Sequence, residues 1–323
     1  MIELSDIEAA ALRLSSISVK TPLLQSAELD EIAGGHILLK PECLQVTGSF
    51  KIRGAYNLMS RLSPKQANKG VVAWSSGNHA QGVAAAGSLL GINTKIVMPA
   101  DAPRVKIEGT KRFGGEIIFY DRYNDDREAI ARQIAKKYGA EIVPAYDSED
   151  IIAGQGTVGL EIVQQSIELN LPPDQVLIGC GGGGLSSGSA IAIKALLPET
   201  YVHTVEPEYF DNTARSLRDG ALCSNAESAR SICDSLLSNT PGKMPFAIHQ
   251  RLSSEGLVVS DADVKMAMRF AFHHLKLVVE PGGAVSLAAI LTQKINCKNK
   301  ITTAVLTGGN VDPDLFSMIQ NET

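Results

Sequence analysis

The sequence has no long run of one charge: its longest Lys/Arg stretches are the pairs Lys111-Arg112 and Lys136-Lys137. With a net charge of −5, nothing in it resembles the basic footprint that nucleic acid requires. Cysteines are few and unpaired in pattern. The five, Cys43, Cys180, Cys223, Cys233 and Cys297, are scattered and form no CxxC, which excludes a disulfide framework and a zinc ribbon. The six histidines show no HExxH spacing, and the adjacent His273 and His274 point to different helix faces, so a transition-metal centre is not expected. One uncharged stretch, 175–193, just reaches membrane-spanning length, ~20 residues. Its centre holds four consecutive glycines, whose bare backbone dipoles lipid would not tolerate. The opening MIELSDIEAAALRL carries acid where a secretory signal needs base. A cytoplasmic protein without a membrane or nucleic-acid partner is expected.

Aromatics are also scarce, with 8 Phe, 7 Tyr and 1 Trp, whereas glycine is abundant at 29 copies. Hydrophobic content of 44% and charged content of 20% exclude a mainly disordered chain. At 323 residues the chain is long enough for two lobes, taking ~150 residues per domain. From about residue 70 strand and helix patterns alternate. Short β-branched runs at 71–74, 95–98, 116–119, 175–178, 201–205 and 301–306 predict buried strands. Helical stretches at 81–90, 125–138, 159–169 and 185–197 lie between them, ending near Gly91, Gly139 and Pro198. Strand, crossover helix, strand is the pattern of parallel sheets covered on both faces. An α/β protein with two-lobed, doubly wound sheets is expected: a smaller lobe at 70–146, inserted into a larger one made of 1–69 and 147–323.

The glycines fall in clusters at predicted strand ends. The strongest, Gly181, Gly182, Gly183 and Gly184 with Leu185, follows the strand at 175–178 and opens a helix. Successive backbone N–H groups turned inward at a helix N-terminus form an anion cradle, suited to a compact phosphate monoester. Neither GxGxxG nor GxxxxGK[ST] is present, so the dinucleotide and P-loop fingerprints fail. A second cluster, Ser75-Ser76-Gly77-Asn78-His79, also lies where ligands of open α/β sheets collect. Its hydroxyls and amides suit a substrate carboxylate, although either serine could equally be a plain helix cap. A third, Thr307-Gly308-Gly309-Asn310, follows the strand at 301–306, and a fourth begins at Glu280-Pro281. Lys51 stands at a helix start, where the dipole disfavours its ammonium form; in an apolar cleft it would become a neutral amine able to condense with a carbonyl.

Taken together and in order, Ser49-Phe50-Lys51 with Arg53-Gly54-Ala55, Ser75 to His79, Ala153-Gly154-Gln155-Gly156-Thr157, Gly181 to Gly184, Glu280-Pro281 and Thr307 to Asn310 resemble the serine/threonine dehydratase and serine racemase family, pyridoxal-phosphate enzymes of fold type II related to tryptophan synthase β. The resemblance spans nearly the whole chain. It implies that Lys51 carries the cofactor and acts as base on the substrate α-proton, that Phe50 packs on the pyridine ring, and that Asn78 bonds the ring hydroxyl. It implies Gly181 to Leu185 on the phosphate, and Thr307 facing the ring nitrogen. A hydroxyl there cannot protonate the ring as an aspartate would, so the electron sink is weakened and prompt loss of a β-hydroxyl is favoured.

The implied activity is dehydration and deamination of L-threonine or L-serine to a 2-oxo acid and ammonia. Serine racemase, with Ser76 as a second acid/base opposite Lys51, and 3-hydroxyaspartate dehydratase are the alternatives. Ser75, Ser76, Gly77 and His79 are the implied substrate residues, and Arg127 is a candidate partner for a second carboxylate. Glu206, Phe210 and Asn212 match the family's divalent-cation loop, with a neutral Asn212 where an aspartate is usual, so a Mg²⁺ or Ca²⁺ site is carried as an expectation. Asp234-Ser235 stands where Asp-Gly is usual, which would narrow or repolarise the pocket. A homodimer is the family's expected assembly.

Overall fold

The computed structural model describes residues 2–122 and 124–322. Ten strands are present among them: β1 (Leu24–Gln25), β2 (His36–Pro41), β3 (Val71–Trp74), β4 (Thr94–Pro99), β5 (Glu116–Tyr120), β6 (Glu141–Ile142), β7 (Gln175–Gly179), β8 (Tyr201–Pro207), β9 (Gly256–Val259) and β10 (Ile301–Leu306). They form two sheets. One has six strands in the order β1-β2-β10-β7-β8-β9, and the other four in the order β5-β4-β3-β6. Every pairing is parallel except that of the short edge strand β1 with β2. The β-branched runs form strands because they are buried on both faces, as parallel sheets between helices require. Along β10, Ala304 and Leu306 join one apolar cluster and Val305 another; along β3, Val71 and Ala73 face one core and Val72 a second.

All six predicted strands are present within two residues of their expected ends, and Gly91 and Gly139 cap helices in the left-handed conformation. The largest departure is the Glu149–Glu168 helix, which starts ten residues before the expected 159. Glycine in a helix costs roughly 1 kcal/mol relative to alanine, so Gly154, Gly156 and Gly159 are not there for helix propensity. They are there for close approach instead. A Cβ on Gly154 would lie 2.5 Å from the Arg53 carbonyl oxygen, one on Gly156 2.8 Å from the Gly188 oxygen, and one on Gly159 2.6 Å from Ser189 Cα. The helices Lys51–Met59 and Gly184–Leu196 thus pack backbone to backbone on this one. Part of the glycine content therefore serves helix packing, beyond the strand-end turns that the sequence pattern suggests.

At the same junction sits a charged cluster. Arg53, fully buried, bonds Glu42 through Nε (2.8 Å) and Nη2 (2.9 Å), and Glu161 through Nη1 (2.7 Å) and Nη2 (2.9 Å). Lys40, equally buried, reaches Glu161 (2.6 Å) and the Thr21 carbonyl (2.6 Å). Two cations thus balance two carboxylates, and the fork geometry of Arg53 ties the Lys51–Met59 helix to β2 and to the Glu149–Glu168 helix. No helix among the described residues is long and apolar enough to cross a membrane.

Candidate active site

The site is assembled at the carboxyl ends of β3, β7 and β10. After β10, the Gly48–Phe50 segment lies antiparallel to Thr307–Gly309: Phe50 N–H donates to the Thr307 oxygen (3.3 Å) and Gly309 N–H to the Gly48 oxygen (2.9 Å). Gly48 has φ +69, and a Cβ there would strike Asn310 Oδ1 at 2.6 Å. This pairing fixes the start of the Lys51–Met59 helix and aims Lys51. Its Nζ donates to the Ala145 carbonyl (2.9 Å) and lies 5.0 Å from the centroid of the Phe50 ring. Among the described residues no carboxylate pairs with it, and burial lowers its pKa from 10.5 to about 8.

Lys106, on the Arg104–Arg112 helix, has the opposite fate. It is 1% exposed, yet Nζ meets Glu280 at 2.9 Å and Asp234 at 2.6 Å; burial works against its charge, but the two carboxylates outweigh it and raise the pKa. One lysine is poised to give up its proton and the other is held as a cation. The first carries a direct expectation. Only a neutral amine attacks an aldehyde, so the rate at which the apoenzyme takes up pyridoxal phosphate should climb through about pH 8. The sign follows from the lowered value: between about 8 and 10.5 the unfolded lysine holds its proton and the folded one does not. Stopped-flow reconstitution across pH tests this, and an inflection near 10.5 would mean that Lys51 behaves as a solvated lysine.

Around Lys51 the loop after β3 is held on both sides. Ser75 Oγ accepts from Gly77 N–H (3.0 Å), while Gly77, not a serine, occupies the cap position of the Asn78–Leu90 helix. Ser76 is half-buried, and its hydroxyl has no hydrogen-bond partner among the described residues. Asn78 donates through Nδ2 to Glu280 and accepts from Asn310 Nδ2 (2.9 Å), so its side chain is fixed from two directions. His79 Nε2 lies 2.9 Å from the Val143 oxygen and must carry the proton there. Burial, reinforced by the Lys51 charge, lowers its pKa to about 3, which leaves the ring neutral. Thr307 Oγ1 donates to the Gly282 oxygen at 3.5 Å.

The glycine cradle opens the Gly184–Leu196 helix, with Gly183 at φ +92. Side chains would fill it. A Cβ on Gly184 would lie 2.5 Å from Gln155 Oε1, one on Gly183 2.8 Å from Pro245 Cβ, and one on Gly182 would collide with the Tyr146 ring. Leu185, next in the helix, is buried beneath it. Gln155 Oε1 and His79 Nδ1 are buried without a partner among the described residues. A cradle of glycines too closely packed to carry side chains of their own, a weakly basic amine and unpaired polar atoms fit a phosphate-bearing aldehyde such as pyridoxal phosphate. Phe50, Lys51, Asn78, the cradle and Thr307 would hold it.

Other expected residues lie farther out. Arg127 is exposed at the first turn of the Arg127–Tyr138 helix, but its charge reaches Tyr146. Ser235 turns its hydroxyl into the space that a Cβ on Gly282 would take. Of Glu206, Phe210 and Asn212, Glu206 is taken up by the Thr213 and Ala214 N–H groups and Asn212 turns its amide nitrogen, which cannot ligate a cation, to the Ser238 oxygen, so the expected Mg²⁺ or Ca²⁺ site is not supported. Sequence reading missed Tyr146 and Lys106. A tyrosine and a lysine outside any motif give no signal until the fold brings them to the cradle and to Glu280.

Known proteins resemble this chain over nearly its whole length. Residues 14–308 match the family described as pyridoxal-phosphate dependent enzyme. The chain is 40% identical over 314 residues to the L-threo-3-hydroxyaspartate ammonia-lyase of Pseudomonas sp, covering 97% of each. It is 39% identical to the L-threonine ammonia-lyase of Thermotoga maritima, covering 100% of this chain and 79% of that one. The structure of maize serine racemase superposes with a TM-score of 0.92 at 35% identity, over 98% of this chain and 96% of that one.

Proposed function

Because the chain belongs to the pyridoxal-phosphate dependent enzyme family, we propose that it is an ammonia-lyase that converts a small β-hydroxy amino acid, L-threonine or L-serine first, to a 2-oxo acid and ammonia. The observation that carries this reading is the Lys51 amine, uncompensated by any carboxylate and lowered to about 8, among residues that suit a phosphate-bearing aldehyde. Bound there, pyridoxal phosphate supplies an electron sink for the pair left when the substrate Cα–H bond breaks. The rest falls to the chain. Lys51 takes the α-proton, its basicity near the working pH. Amides and hydroxyls of the loop from Ser75 to His79 hold the substrate carboxylate. Thr307 offers a hydroxyl that does not ionise, so the developing charge is held weakly and the β-hydroxyl leaves promptly, protonated to water by the proton that Lys51 has gained. Hydrolysis of the resulting imine consumes one water and releases the 2-oxo acid and ammonia.

Two observations favour other readings at the same site. The unpaired Ser76 hydroxyl suits a second proton donor, as racemisation requires. Arg127, exposed at the start of its helix and with no ion-pair partner among the described residues, suits a second carboxylate, as in 3-hydroxyaspartate. Profiling L-serine, L-threonine and both 3-hydroxyaspartate diastereomers, with chiral analysis of residual serine, separates them. If a dicarboxylate is the substrate, Arg127→Gln should raise KM for it about tenfold, the worth of one charge-assisted hydrogen bond, and leave serine unchanged. Equal effects on both would reduce Arg127 to a surface charge.

A further inference from the structure

Beyond β8 the chain builds a site with the spacing of a cation loop and fills it differently. Both Glu206 oxygens accept backbone N–H groups at the start of the Asn212–Asp219 helix, from Thr213 (2.9 Å) and Ala214 (2.7 Å). Asn212 Nδ2 lies 2.5 Å from the Ser238 carbonyl oxygen. A carbonyl can only accept, so Asn212 must face it with N–H. Asn225 Nδ2 donates to the same oxygen at 2.9 Å. Arg215 braces that second amide, reaching Asn225 Oδ1 (2.6 Å), the Ser224 oxygen (3.1 Å) and Asp211 (3.0 Å). Mg²⁺ and Ca²⁺ are held by oxygen donors. Here an amide nitrogen stands where an oxygen would be needed, and among the described residues no cluster of three His, Cys, Asp or Glu could hold a metal.

The carbonyl so clamped belongs to a segment that borders the cradle. Ser238 Oγ lies 3.5 Å from where a Cβ on Gly181 would sit, Leu236 Cα lies 3.3 Å from it, and Gly242 N–H bonds to the Gly182 oxygen at 3.0 Å. We infer that Asn212 and Asn225 form an uncharged clamp on Ser238 that sets this segment against the glycine cradle without a divalent cation. Both are positioning residues: they touch neither substrate nor cofactor. A clamp made of amide N–H groups responds to neither chelator nor added cation.

The test uses the holoenzyme and two readouts besides turnover, namely cofactor retained after dialysis and the Tm. Wild-type protein should retain the same cofactor and melt at the same temperature in excess EDTA, Mg²⁺ or Ca²⁺. Asn212→Asp places a carboxylate oxygen against the Ser238 carbonyl. It should weaken cofactor affinity about tenfold in EDTA and regain it when Mg²⁺ or Ca²⁺ is added. Asn225→Ala should lose affinity a few-fold, about the worth of one hydrogen bond, with no response to cation. The inference is overturned if the wild type sheds cofactor or melts earlier in EDTA and recovers with Mg²⁺. Unchanged cofactor retention by Asn212→Asp in EDTA would overturn it as well.

Discussion

Replacing Lys51 with alanine is expected to lower 2-oxo-acid formation by roughly 10³- to 10⁴-fold, because it removes the proton-transferring base together with the covalent hold on the cofactor. The cradle and Phe50 should still bind pyridoxal phosphate reversibly, so the variant should lose it on dialysis while the wild type does not. Borohydride reduction gives the sharper reading. In wild-type protein it should fix the cofactor onto the peptide containing Lys51, and in Lys51→Ala it should fix none. Lys106 is the internal control. It is the other lysine near the site with a deeply buried amine, but Glu280 and Asp234 keep it charged and therefore not nucleophilic. Labelling of the Lys106 peptide, or activity within tenfold of wild type for Lys51→Ala, would remove Lys51 from its assigned role.

The largest loss of stability is expected at Arg53. Arg53→Met keeps much of the side-chain volume but leaves Glu42, which is fully buried, with Lys40 alone for charge balance. Breaking a buried ion pair from one side costs about 3–5 kcal/mol, because the orphaned charge stays desolvated. Glu42 is held below the usual carboxylate range by Arg53 despite the opposing effect of burial, so in the wild type its contribution to stability is present at neutral pH and is lost as pH falls through the lowered folded pKa. The double variant Arg53→Met, Glu42→Gln should recover part of the loss, since the charge left behind is removed as well. Denaturant unfolding of the two variants decides it. A single-variant loss under about 1 kcal/mol would place this cluster among ordinary surface pairs.

How much of this was legible in the sequence depends on how far apart the interacting residues lie. Six of the ten described strands were, because a parallel strand declares itself in a few consecutive β-branched residues; β1, β2, β6 and β9 were not, two of them being only two residues long. The cradle was too, since four glycines between a strand and a helix have few other uses. The start of the Glu149–Glu168 helix was not: glycine disfavours a helix locally, and only contact with Arg53, Gly188 and Ser189 makes it preferable there. Lys106 and Glu280 are separated by 174 positions (280 − 106) and meet only when β4 and β10 are both in place. The family resemblance named Asn212 as a cation ligand from its spacing. The direction in which its amide points depends on Ser238, which spacing does not encode.

The strand order also has a consequence for the time course of synthesis. The four-strand sheet is drawn entirely from residues 71–142, a continuous stretch in which helices cross over between the paired strands. The six-strand sheet places β10, at 301–306, between β2 and β7, so its central strand leaves the ribosome after all the other described strands. Until then β2 has no parallel neighbour, and the turn that holds Gly48 to Phe50 has no Thr307 to pair with. A nascent chain can therefore complete one sheet early while the other waits, exposing the edges of β2 and β7 for most of translation. Competence to receive the cofactor arrives only when β10 slots in and Lys51 is turned toward the cradle.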